Sequence, residues 1–83
     1  MNKDLGKQIV VIDNGFVHVG DCSIQDGLLS IDSAKNIRVW GTTQGLGQLI
    51  NGPLNDTKAD DCGSVLVPIA RVVFFLAVVK GWK

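Results

Sequence analysis

The chain contains no glutamate, and all eight of its acidic side chains are aspartates. This removes the calcium loop that closes on a bidentate glutamate, and the aspartates at 56, 60 and 61 do not follow the alternate spacing such a loop needs. They read as part of a solvated polar loop spanning Leu54 to Gly63. Histidine occurs once, as His18. A zinc site would have to bring it together with Cys22, Cys62 and a carboxylate, so no metal site is expected. His18 reads instead as a partly buried strand residue. No spacing joins either thiol to it as nucleophile and base, so no catalytic residue is expected and the chain does not read as an enzyme.

Neither sign of charge is in excess: eight basic side chains face eight acidic ones. Bulk binding of DNA or RNA draws on a basic surface, so it is not expected here. The two cysteines lie forty positions apart, unlike the denser pattern of a disulfide framework. The opening Met1–Gln8 is polar and carries no secretory signature. A cytoplasmic location with reduced thiols is expected. Long apolar runs are also missing. Val65 to Val79 is interrupted by Pro68 and Arg71, leaving eight uncharged residues from Val72 to Val79. A membrane-spanning helix needs about 20, so no membrane partner is expected. Two phosphate-binding signatures fail as well. After Gly45-Leu46-Gly47 the third glycine of a dinucleotide fingerprint would fall at Ile50, and no Gly-Lys-Ser/Thr triplet exists. No cofactor is implied.

What the chain does have is apolar residues, 46% of its 83 positions. That is ample for a single domain covering 1–83. A domain of this length buries only about 60–65% of its unfolded surface and has a marginal core. Association of identical copies is a common remedy, and a homo-oligomer is expected.

Turn signals divide the chain into short strands. Lys7–Asp13 centres on four successive β-branched residues and is followed by Asn14-Gly15, a signature of the type I′ hairpin. Phe16–Asp21 returns, with Phe16 and His18 on one face, and Gly20 marks a bulge or close backbone approach. Asp26-Gly27 repeats the hairpin signal between Cys22–Gln25 and Leu28–Ile31. Asp32-Ser33-Ala34 reads as a turn before the strand Lys35–Trp40. Ser64–Val67 and Arg71–Val79 complete the set, and the unbroken apolar character of the last predicts burial on both faces. The fold class is mainly β: a small antiparallel meander or partly closed barrel of five to seven strands with one short helix at about 43–51.

Four of the ten glycines lie between Gly41 and Gly52, in the stretch holding that helix. Thr43 is its expected N-cap, Leu46, Leu49 and Ile50 its buried face, and Asn51-Gly52-Pro53 its terminator. The loop before a helix start offers free N–H groups to an anion. Arg38 lies two residues before Trp40 on one strand face, and a cation beside an aromatic plane suits a phosphate and a stacked base. Candidate ligand-binding residues are therefore Arg38 for charge, Trp40 for stacking, and Thr42, Thr43 and Gln44 for polar contacts. Arg71, opening an apolar strand, needs a partner if buried: Asp60, Asp61 or a ligand phosphate. The competing reading makes Trp40 a core residue and the glycines the means of a tight strand-to-helix turn.

The pattern of Val39-Trp40, Gly45-Leu46-Gly47-Gln48-Leu49, Asn51-Gly52-Pro53 and Cys62-Gly63-Ser64-Val65-Leu66-Val67-Pro68 resembles an uncharacterised family of short phage and prophage β-proteins. The resemblance spans roughly residues 8 to 79 and implies a viral or mobile-element origin, hence host cytoplasm as the place of action. It carries over no catalytic residues. By analogy with small anti-defence proteins, it leads to the expectation of a binding protein that sequesters a nucleotide-derived signal in a pocket between subunits. The other expectation is a protein-interaction or assembly module, with Val72–Val79 and Trp82 forming the contact surface.

Overall fold

A computed structural model describes residues 3–82; Met1 and Asn2 of the polar opening segment lie outside the described residues. Five antiparallel strands form one open sheet: β1 (Lys3–Ile12), β2 (Val17–Gln25), β3 (Leu28–Val39), β4 (Lys58–Pro68) and β5 (Val72–Ala77). Their spatial order is β4-β3-β2-β1-β5, a four-strand meander to which the last strand returns beside the first. The expected mainly β architecture is thus observed, with five strands and two short 3₁₀ segments, Leu46–Asn51 and Ile69–Arg71, among the described residues.

The two hairpins at the start solve the same problem differently. Asp26 and Gly27 both have positive φ, 53° and 80°, which is the two-residue turn their sequence announces. At the first hairpin only Gly15 is left-handed, at φ 88°. Gly15 donates to Ile12 O at 2.9 Å, and Ile12 N donates to Phe16 O at 3.0 Å. This is a type I turn closed by a left-handed glycine, not the expected type I′. Asn14 Oδ1 accepts from Phe16 N at 3.0 Å, so the asparagine acts through its side chain.

Two of the expected breaks are bulges inside longer strands. The region 16–25 was divided in the sequence reading, but β2 runs through it with a register shift between Val19 and Asp21. A Cβ on Gly20 would lie 2.6 Å from Ile31 Cγ2 and 2.8 Å from Asp32 O, so glycine lets β3 cross close at this bend. Ser33 (φ 50°) belongs to an irregularity between Ile31 and Ala34 of β3, where a turn was expected. The polar stretch expected as a loop to Gly63 pairs from Lys58 onward as β4, because its aspartates find cations across the ladder. Asp61 lies opposite Lys35 and forms an ion pair with it, and Asp60 pairs with Arg38.

Both faces of the sheet are covered. Ile9 and Val10, adjacent in β1 and therefore opposite in direction, belong to different clusters. Ile9 packs with Val17, Val19, Ile37, Leu46, Leu49 and Trp82. Val10 packs with Ile12, Cys22, Leu29, Ile31, Ala34 and Val67. The outer strands serve both clusters: Ala59 of β4 and Leu76 of β5 pack on the first, Val67 of β4 and Val72 and Phe75 of β5 on the second. The lid on the first cluster is a 3₁₀ turn, Leu46–Asn51, starting two residues later and wound tighter than the helix expected after the Thr43 cap. Its N-cap is Gly45, without a side-chain cap, and not Thr43.

The expectation that the last strand is buried on both faces is not met. β5 is an edge strand, and Val73 and Phe74 are 57% and 45% exposed. The chain then turns back over the 3₁₀ turn: Val79 N donates to Ile50 O at 2.7 Å. A Cβ on Gly81 would stand 2.5 Å from Gly52 Cα and 2.7 Å from Asn51 O. These two glycines bring backbone against backbone so that Trp82 can enter the core.

Candidate functional site

Position 40 follows the end of β3, where the ladder to β4 runs out at Val39–Lys58. Trp40 is 41% exposed. The aromatic that fills the core is Trp82, 9% exposed, with Nε1 donating to Leu49 O at 2.6 Å. The reading of Trp40 as the core tryptophan is therefore wrong, and so is the placement of Trp82 on a contact surface. No sequence pattern distinguished the two rings. Each has a glycine beside it, Gly41 or Gly81, and both glycines allow close chain approach.

Trp40 is fixed through its backbone. Thr57 Oγ1 donates to Trp40 O at 2.7 Å and accepts from Leu54 N at 2.9 Å. The next residue, Gly41 (φ 65°), lies so close to the Asp56–Thr57 peptide that a Cβ would overlap it at 2.3 Å. The loop after β3 is thereby seated on the turn before β4, with the Trp40 side chain partly exposed.

Arg38 Nε donates to Asp60 Oδ2 at 2.8 Å, with both side chains more than half exposed. The pairing holds the Asp60 carboxyl below its ordinary range and raises the guanidinium further. In water such a pair is a weak tether, so a ligand anion can compete for the guanidinium.

Thr43 N and Gln44 N converge on one acceptor, Gln48 Oε1, at 2.8 and 3.0 Å. Gln48 Nε2 in turn donates to Thr43 Oγ1 at 3.3 Å. The two N–H groups expected to receive a ligand are thus occupied by an amide oxygen from the chain itself. Gln48 was missed in the sequence, although a glutamine four and five residues after exposed N–H groups has the reach to close such a loop. Thr42 is half-buried and its side chain makes no hydrogen bond among the described residues.

Arg71 stands apart from this group. It is exposed, not buried, and Nη1 donates to Asp13 Oδ2 at 3.2 Å. Neither Asp60 nor Asp61 is its partner, since both are engaged across the β3–β4 ladder. Of the six candidate binding residues, five are neighbours in sequence at the end of β3 and in its loop, and Arg71 lies with the β1–β2 turn.

Both thiols are free, Cys22 buried and Cys62 exposed. Burial pushes the Cys22 thiol up to about 11, with Asp21 and Asp32 adding to the effect. Cys22 is thus a protonated core residue at neutral pH. Among the described residues no three His, Cys or Asp side chains gather closely enough to hold a metal. No helix there is long and apolar enough to cross a membrane. No family model, curated protein or solved structure matches the chain.

Proposed function

We propose that the protein is a non-enzymatic binding module that holds a planar, anionic, nucleotide-like small molecule at Arg38 and Trp40, with Thr42, Thr43 and Gln44 at its margin. The observation that carries this reading is the position of Trp40. Of two tryptophans in a small apolar chain, one is kept at the surface on a braced loop, two residues from an exposed guanidinium. An indole face supplies sequence-tolerant stacking for a base, and arginine supplies charge for a phosphate. An anion reaching Thr43 N and Gln44 N would displace the Gln48 amide, which gives the loop a closed and an occupied form. The finer reading is sequestration of a nucleotide-derived immune signal by a phage-encoded homo-oligomer in the host cytoplasm. It rests on the resemblance of the central motifs.

Purified protein should be incubated with cyclic dinucleotides and ADP-ribose, desalted, and heated to release what it holds. Retention by the wild type, lost in Trp40→Ala and in Arg38→Ala, is the expected result. Equal retention by Trp40→Ala, or none by the wild type, overturns the proposal.

A second reading is favoured by a different observation. Val73 and Phe74 of β5 and Leu66 of β4 are exposed on the two edge strands of an open sheet. Such edges suit pairing with another chain, as an assembly module without a small-molecule ligand requires. A host-protein complex that survives Trp40→Ala and fails in Phe74→Lys would favour this reading.

A further inference from the structure

The groove between the β1–β2 turn and the outer half of β4 has a volume of about 400 Å³. Its floor is apolar, from Ile12 and Val67 of the second core cluster, and its rim carries two exposed large apolar side chains, Phe16 and Leu66. Four polar residues line it, Asp13, Asn14, His18 and Arg71, and two of them bear basic nitrogens. One is Arg71, whose Nη1 is bonded to Asp13 while its Nε and Nη2 have no partner among the described residues. The other is His18, 7% exposed, whose buried Nδ1 has no hydrogen-bond partner among the described residues.

An unsatisfied buried polar atom in a core where leucine or phenylalanine would pack calls for a reason. With Nδ1 sealed, the imidazole lines the groove through its other atoms. Asp13 engages one nitrogen of the exposed guanidinium and leaves its Nε–Nη2 edge free among the described residues. The remaining edge presents parallel N–H groups in the geometry that planar oxyanions accept. Few polar groups placed on an otherwise apolar concavity of this size are the usual make-up of a small-molecule site.

We propose that this groove is a second binding site, separate from Arg38 and Trp40, for an aromatic oxyanion whose carboxylate or phosphate is gripped by Arg71 and whose ring lies against Phe16. The Asp13 carboxylate sits in the same groove and opposes the incoming charge. This fixes the sign of its removal: Asp13→Asn should bind the anion more tightly, whereas Arg71→Gln should lose it.

His18 is the only histidine, so its ring protons give an unambiguous local NMR signal. Titration with benzoate, with phenyl phosphate and with uncharged benzyl alcohol tests the proposal directly. A saturable shift of the His18 signals by at least one of the anions, and none by the alcohol over the same range, is expected. Benzoate and phenyl phosphate distinguish a carboxylate from a phosphate ligand. Arg71→Gln should weaken the response about tenfold or more, Asp13→Asn should strengthen it several-fold, and Trp40→Ala should leave it unchanged. A response shared by benzyl alcohol, or one retained in Arg71→Gln, overturns the proposal. So does the absence of any saturable shift in the wild type. Because Arg71 and Asp13 are exposed, both variants are expected to keep the wild-type amide spectrum, and Phe16→Ala gives an independent weakening through the ring contact.

Discussion

Trp82 and Trp40 have the same side chain and opposite energetic weight. Trp82 closes the cluster around Ile9, Leu49 and Ile37 and satisfies the Leu49 carbonyl. Trp82→Ala should therefore cost about 3–5 kcal/mol, the range for emptying a buried aromatic site. Trp40→Ala removes a partly exposed ring and should cost no more than about 1 kcal/mol. Urea unfolding of the two variants checks the contrast; equal losses would mean that Trp40 is part of the core. His18 makes a prediction in pH. Its burial holds the imidazole pKa below the ordinary 6.5. The unfolded chain then takes up a proton that the folded chain resists, so this contribution to stability is complete above pH 6.5. It is lost as pH falls through that value toward the lower folded pKa. Between pH 7.5 and 5.5 the wild type should lose stability, and His18→Leu should lose less. Urea midpoints at several pH values measure this, and parallel slopes for the two proteins would refute it. The sequence marked His18 as a partly buried strand residue, which it is, but no neighbour in sequence revealed that its Nδ1 goes without a partner.

At the scale of elements, the turn residues were legible because turns are local. Asp26-Gly27 dictates its own two-residue hairpin, and Asn14-Gly15 ends β1 where expected, although through another turn type. What could not be read were features set by partners far along the chain. The stretch Lys58–Gly63 looks like a loop until Lys35 and Arg38 stand across from its aspartates. The break expected near residue 21 is a bulge, because Gly20 lets β2 bend past Ile31 without ending. The candidate site divides in the same way. The nearness of Arg38, Trp40 and the following loop along the chain was visible in the sequence. The pairing of Arg71 with Asp13, 58 residues away, was not. Gly20 offers a sharp test. Alanine there would press its Cβ on Ile31 Cγ2 and Asp32 O, and the resulting overpacking should cost about 1–3 kcal/mol. Gly47→Ala is the control, since nothing lies within 4 Å of a Cβ at that position. Thermal melts of both variants decide it: similar losses would show that close approach is not the reason for Gly20.

The whole molecule is a sheet with two open edges, and β5 lacks the ordinary protection of an edge. Natural edge strands are blunted by charge, proline or a covering segment. β5 carries no charged residue from Val72 to Ala77, and Val73 and Phe74 are exposed along it. β4 carries its charges at Lys58–Asp61, while its other half exposes Leu66 before Pro68. A net charge of zero gives little repulsion between copies. Burying Phe74 and Leu66 against another copy would add apolar contact that a chain of 83 residues has few other means to gain. The protein should therefore sediment as a homo-oligomer at micromolar concentration. Phe74→Lys places a charge on the edge and should shift it toward the monomer while leaving the far-ultraviolet dichroism unchanged. Sedimentation velocity of both proteins reads the outcome. A wild type that stays monomeric, or a Phe74→Lys variant that assembles equally well, removes the edge strand as the contact. The same pair of proteins relates assembly to binding. If the Arg38–Trp40 site is completed by a neighbouring subunit, nucleotide retention should fall in Phe74→Lys in proportion to the loss of oligomer. If retention persists in the monomeric variant, the site is contained within one chain.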